Sequence, residues 1–134
     1  MQINKDLIIS GTGVTLEETI NQPDIYSTAE TKTNKVWIDG KPIYRKVIDF
    51  GSLPNNTTKY MPHNINNIDK VIEIRGYATE SGTKNFYPLP LQYRGADSSY
   101  NVEILVNNNN VIAGASQDRS AYTAYVILEY TKNN

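Results

Sequence analysis

His63, beside Pro62, is the one histidine of the chain. A histidine acting as a general base needs an orienting carboxylate and a nucleophile within reach, and nothing near His63 in the sequence supplies both. It reads as a loop histidine, exposed or at the edge of the core. One histidine and no cysteine exclude multi-histidine metal sites, cysteine-ligated zinc, thiolate chemistry and disulfides. Asp118-Arg119-Ser120 sets an acid beside a hydroxyl, but the spacing is that of a polar turn entering a strand. Asp49, Asp69, Glu73, Glu103 and Glu129 could in principle meet across a sheet as the paired carboxylates of a glycosidase. Acids on strands more commonly face outward as solubilising charges. Gly11-Thr12-Gly13 lacks the further glycine and the lysine of a phosphate loop. Asp97-Ser98-Ser99 lacks the alternating acids of a calcium loop. No catalytic residue, metal or cofactor is assigned, and the expectation is a protein that is not an enzyme.

The aromatic residues carry more chemistry. Tyr87, Tyr93 and Tyr100 accompany Arg94 and Asp97 around an expected edge strand and its loops. Flat rings beside guanidinium and carboxylate groups suit sugars, whose C–H faces pack on rings. These five residues are the candidate ligand-binding set, with host-surface glycans as the partner. Trp37, the single tryptophan, is expected to pack in the core.

The composition says which elements must position these groups. Of 134 residues, sixteen are Asn, and ten Tyr stand against two Phe. Asn favours turns over helix interiors, and Tyr suits a half-buried pleated surface. Net charge is −1, from 13 basic and 14 acidic residues. No basic stripe exists to neutralise a row of phosphates, so nucleic acid is not an expected partner. Arg45-Lys46 is the one adjacent basic pair and reads as a solvated strand face. No apolar run approaches the ~20 residues of a membrane-spanning helix. The opening MQINKDLIIS is too short and polar for a signal peptide, and the absence of cysteine points to synthesis in a reducing cytoplasm.

Residues 1–35 differ from the rest. A short strand over INKDLIIS is followed by a helix start in which Thr15 and Glu18 have capping-box spacing. Leu16 and Ile20 share one face of that helix, and Pro23 ends it. The polar run Ser27 to Lys35 reads as a linker. Ile3, Leu7, Ile8, Ile9, Val14, Leu16 and Ile20 give this arm small apolar faces without a core of its own, so they are the candidate anchoring and oligomer contacts.

Residues 36–134 read as an antiparallel β-sandwich of about seven strands or more. Val36–Ile38 and Ile43–Phe50 flank an Asp-Gly turn. Over 68–77, Ile68, Lys70, Ile72 and Ile74 alternate with Val71, Glu73, Arg75 and Tyr77, predicting a strand with one mostly apolar face that includes Ile72. Pro88 and Pro90 make 86–93 an edge or irregular strand. Val102–Val106 and Val111–Ala115 bracket four asparagines as a hairpin, and YTAYVILEY at 122–130 is the strongest strand signal.

Tyr26-Ser27-Thr28 and the block WIDGKPIYRKVIDFGSLPNNTTK at 37–59 resemble a β-rich domain of bacteriophage tail fibre and head fibre proteins. Asn67 to Val71, Asp118 to Tyr122 and Val126 to Lys132 resemble the same domain in the same order, so the resemblance covers residues 26–132 apart from 79–117. It implies a virion structural protein, made in the host bacterium, with a homotrimeric sandwich-like distal domain and no catalytic residues. The arm would attach it to capsid or tail proteins. Its length favours a short head fibre or surface decoration. The alternatives are a tail fibre receptor-binding tip and a stand-alone carbohydrate-binding module.

Overall fold

The strand with the strongest sequence signal, Tyr122–Lys132, lies at the centre of the larger of two sheets. The computed structural model describes residues 24–91 and 101–133, and within them the protein is all-β. Eight strands are present there: β1 (Thr31–Val36), β2 (Pro42–Ser52), β3 (Thr58–Pro62), β4 (Ile68–Glu80), β5 (Phe86–Leu89), β6 (Val102–Val106), β7 (Asn110–Ala115) and β8 (Tyr122–Lys132). One sheet has the order β1-β2-β8-β4-β5 and the other β3-β7-β6, with every pairing antiparallel. The two pack around one core, giving the sandwich-like architecture expected from the composition.

That core follows from alternation along the long strands. Ile48 and Phe50 on β2, Ala124, Val126, Leu128 and Tyr130 on β8, and Ala78 on β4 point inward. They meet Val111 and Ala113 of β7 and Val102 of β6. Burying one such apolar side chain contributes about 1.5–3 kcal/mol.

Turn chemistry closes the hairpins. Between β1 and β2, the Gly40 N–H donates to the Trp37 carbonyl at 2.8 Å, and Asp39 Oδ1 accepts from the Lys41 N–H at 3.0 Å. Gly40 takes φ +86°, which a side chain would resist. Between β6 and β7, Asn107 Oδ1 accepts from the N–H groups of Asn109 and Asn110 at 2.9 and 2.8 Å. The asparagine run is thus a hairpin turn, as its composition implied.

Several expectations are corrected. Residues 31–35, read as linker, are most of β1, because an edge strand open to water can be polar. β3 carries no clear strand pattern in the sequence, being five residues ending in Pro62. The alternation along β4 is broken by two irregularities in its pairing with β8. Ile68 pairs with Lys132 and Lys70 with Thr131, then Val71 with Tyr130 and Glu73 with Glu129. Each step places one extra residue on β4, so Asp69 and Ile72 are bulged and the face that points inward changes register. Ile72 is therefore half-buried, and Ile74 is exposed beside a core-facing Leu128. Trp37 is half-buried in the β1–β2 hairpin and lies outside the core cluster.

Candidate functional site

Two features of the larger sheet set it apart from ordinary packing. One is a cluster of ionised groups at its β1–β2–β8 side, and the other is an aromatic shelf on its outward face.

Arg45 on β2 and Glu129 on β8 sit directly opposite each other, with 1% and 3% of their surfaces exposed. The Arg45 guanidinium donates to Glu129 Oε2 through Nε at 2.8 Å and Nη2 at 2.6 Å. Nη1 donates to Asp24, and the Tyr26 ring lies 4.2 Å from the guanidinium carbon. Burial works against the Arg45 charge, but the bonds to Asp24 and Glu129 outweigh it and hold the group above its ordinary value. Arg45 was expected on a solvated strand face and Glu129 as an outward solubilising charge. Both expectations fail because residues 24–26 cover the pair from outside.

Glu73 stands opposite Glu129 across β4 and β8, an arrangement that is repulsive unless cations intervene. Here they do. Arg75 Nε lies 2.6 Å from Glu73 Oε1, and Arg75 Nη2 and Lys35 Nζ lie 4.0 and 3.8 Å from Glu129. These acids are engaged by guanidinium and ammonium groups rather than poised as an acid–base pair.

The chain before β1 is pinned as a strap. The Val47 N–H donates to the Ser27 carbonyl at 2.9 Å. Glu30 accepts from the Tyr130 hydroxyl at 2.7 Å and from Lys132 Nζ at 2.9 Å. Burial opposes the Glu30 charge, yet these two donors hold its carboxyl below the usual value. The same contact, together with burial as the larger cause, pushes the Tyr130 hydroxyl far above its ordinary value. Nearby, Asp69 accepts from Lys41 and Lys70 at 2.8 Å each and from the Thr131 hydroxyl at 3.0 Å. Lys41 and then Lys70 hold its carboxyl well below the carboxylate range. Lys70 also reaches Asp39 at 3.2 Å, which fastens the β1–β2 turn to β4.

These contacts join three stretches that are far apart in the sequence. Asp39, Lys41, Tyr44 and Arg45 come from the first, Asp69 and Lys70 from the second, and Glu129 to Lys132 from the last. Tyr44 also stacks on Tyr130 with ring centroids 6.2 Å apart. Residues from Asp39 to Lys132 thus form one clamp on the entering strap.

Beside the clamp lies the shelf. Tyr77 faces Tyr125 across β4 and β8 at 5.9 Å, and Phe86 of β5 leans on Tyr77 at 6.0 Å. Phe86 is 65% exposed, and Tyr26, Tyr77 and Tyr125 are exposed as well. Tyr26, Ser27 and Thr28 of the strap, with Val47, Tyr77, Tyr125 and Ile127, line a shallow cavity of about 310 Å³.

Of the expected ligand set, Tyr87 is half-buried on β5 and meets the Tyr122 ring edge-on at 5.7 Å. Tyr93, Arg94, Asp97 and Tyr100 lie outside the described residues, as do the arm residues Ile3, Leu7, Ile8, Ile9, Val14, Leu16 and Ile20. His63 is buried: its Nδ1 accepts from the Ile65 N–H at 3.1 Å and its Nε2 faces the Asn107 carbonyl at 2.9 Å. It joins the β3–β4 connection to the asparagine turn. Among the described residues, no group of three or more His, Asp or Glu side chains could hold a metal ion, and no helix is long and apolar enough to cross a membrane.

Comparison of the chain with protein-family models, with curated proteins and with solved structures finds no match.

Proposed function

We propose that this protein is a structural component of a bacteriophage virion, a short head fibre or surface decoration. In this reading residues 1–23 grip the particle and the sandwich projects from it. The observation that carries it is the clamp. The residues that resemble fibre domains converge on fixing the strap at 24–30, the point where the chain leaves the sandwich toward its N-terminal arm. A projecting domain needs a firm exit for its attachment arm, and a buried ion pair fixes orientation more than it adds stability.

The shelf is assigned to a second copy of this chain, as one contact of a homotrimer. Exposed Tyr and Phe rings in one patch have the composition of a protein interface core. Burying them between copies leaves the arm free for the particle.

The test is immunogold electron microscopy on phage particles carrying the gene, with mass spectrometry of the purified virion. The chain should be found at regular sites on the capsid. Its absence from purified particles refutes the proposal, and labelling at the tail tip moves it to a receptor-binding fibre.

A further inference from the structure

The outward face of the smaller sheet poses a question that the virion reading does not answer. Its middle strand carries Gly114 at an outward position, between Thr58 of β3 and Glu103 of β6. Glycine inside a strand weakens it and marks a bulge, a bend, or a place where something approaches the backbone closely. The pairing of β7 runs from Asn110 to Gly114 with β3 and from Val111 to Ala115 with β6 without a register break, so there is no bulge. The backbone there does not require glycine either. A Cβ added at Gly114 would meet nothing nearer than the Thr58 hydroxyl at 3.7 Å, an ordinary contact. What remains is room for an external occupant.

The surroundings say what kind. Gly114 lies in the floor of an open trough of about 460 Å³, bordered by Asn56, Thr58, Asn101, Glu103 and Ser116. That volume falls in the roughly 300–1,000 Å³ range of small-ligand clefts. The border offers amide, hydroxyl and carboxylate groups and contains no lysine or arginine, which disfavours phosphate and other anions. A single carboxylate is too few for a hard cation, which takes six or more oxygen ligands. Next along the strands is an apolar row, Tyr60, Ile112 and Leu105, aligned across the sheet. Tyr60 and Leu105 are 61% and 53% exposed. A flat ring and an aliphatic ridge beside hydroxyl-seeking groups match a pyranose, with its C–H face and its rim of hydroxyls.

We infer that this trough binds a neutral saccharide, with Gly114 as its floor, Tyr60 as the stacking ring and Glu103 as a hydroxyl acceptor. The site is separate from the clamp and the shelf. It lies on the other sheet, so loss of particle attachment and loss of sugar binding are independent outcomes.

The experiment is a ¹⁵N NMR titration of the full chain with maltotriose, cellotriose and an N-acetylglucosamine trimer. At least one should move the amides of Thr58, Glu103 and Gly114 saturably, with a dissociation constant on the order of millimolar, as expected for a shallow trough. Gly114→Ala, whose methyl the fold accommodates, and Tyr60→Ala, at an exposed ring, should each weaken binding about tenfold without changing the melting temperature appreciably. The inference is overturned if no saccharide of the three shifts these amides at about tenfold above that concentration. Unchanged affinity in both variants overturns it too. So does loss of self-association on Gly114→Ala, which would make the trough a contact between copies.

Discussion

Arg45 and Glu129, 84 residues apart in sequence, are bonded twice on the outward face of a sheet and are nevertheless almost wholly buried. The cover is the chain's own strap, held by the same arginine through Asp24 and the Tyr26 ring. A buried pair of this kind has an asymmetric energetics. Removing one partner strands the other charge at a cost of about 3–5 kcal/mol, whereas replacing both with apolar groups can be close to neutral. Glu129→Leu should therefore cost about 3 kcal/mol or more in urea unfolding, and Arg45→Met/Glu129→Leu should recover most of that loss. Simple additivity of the two single variants would show that the pair is not acting as a unit.

The strap should loosen without global unfolding when Glu30 is removed. Glu30→Ala takes away the acceptor shared by Tyr130 and Lys132. The Val47 amide, which donates to Ser27, should then exchange with deuterium at least about tenfold faster, while the Ile48 and Val126 amides keep most of their protection. Equal acceleration at all three sites would mean that the strap is part of the cooperative core.

Acid stability should depend on Asp69. Its carboxyl is held below the unfolded value of 3.8 by Lys41 and Lys70, so the folded state binds its proton less readily than the unfolded chain does. The resulting stabilisation is fully present above that value and is lost as pH falls through the carboxylate range toward the folded one. Asp39, held down first by the Lys41 N–H, acts in the same direction. Asp69→Asn should flatten the decline of melting temperature below about pH 4 while lowering stability at pH 7. A decline as steep as in the parent would exclude Asp69 from the acid transition.

Burial in the structure separates Ile72 from Leu128. The alternation along 68–77 would bury Ile72, yet the structure places it at a bulge and leaves it half-buried. Leu128, by contrast, is fully buried. Leu128→Ala should cost about 2–5 kcal/mol and Ile72→Ala less than about 1.5 kcal/mol. A larger cost at Ile72 would restore the uninterrupted strand.

The shelf predicts an oligomer sensitive to charge. Light scattering on a sizing column should give three copies of 15.1 kDa for the full chain, and Phe86→Glu or Tyr125→Glu should reduce it to one. Phe86 is exposed, so Phe86→Glu should leave the melting temperature of the single chain nearly unchanged. A trimer that survives both substitutions would place its interface elsewhere.

What could be read from the sequence was local. The β6–β7 hairpin was legible because Asn107 caps its own turn, and β8 because its apolar run has few polar competitors. β1 was not, since Thr, Lys and Asn on an edge strand look the same as a linker. The bulges at Asp69 and Ile72 were not, since each is defined by the register of a partner strand and not by local composition. The clamp was hidden for a related reason. Arg45 looks solvated until Glu129 is brought opposite it, and no spacing along the chain encodes that meeting.

The central place of β8 also constrains how the molecule is made. β2 and β4 form no ladder with each other; both pair with β8. During synthesis β1, β2, β4 and β5 therefore leave the ribosome before the strand that joins them exists. Until residue 132 has emerged, β2 and β4 each lack a neighbour, and their open ladders are available to any other nascent chain. Such non-local closure slows folding and prolongs exposure to aggregation. A ribosome that stops before β8 releases a chain in which the β1–β2 and β4–β5 hairpins have no strand to join them into one sheet.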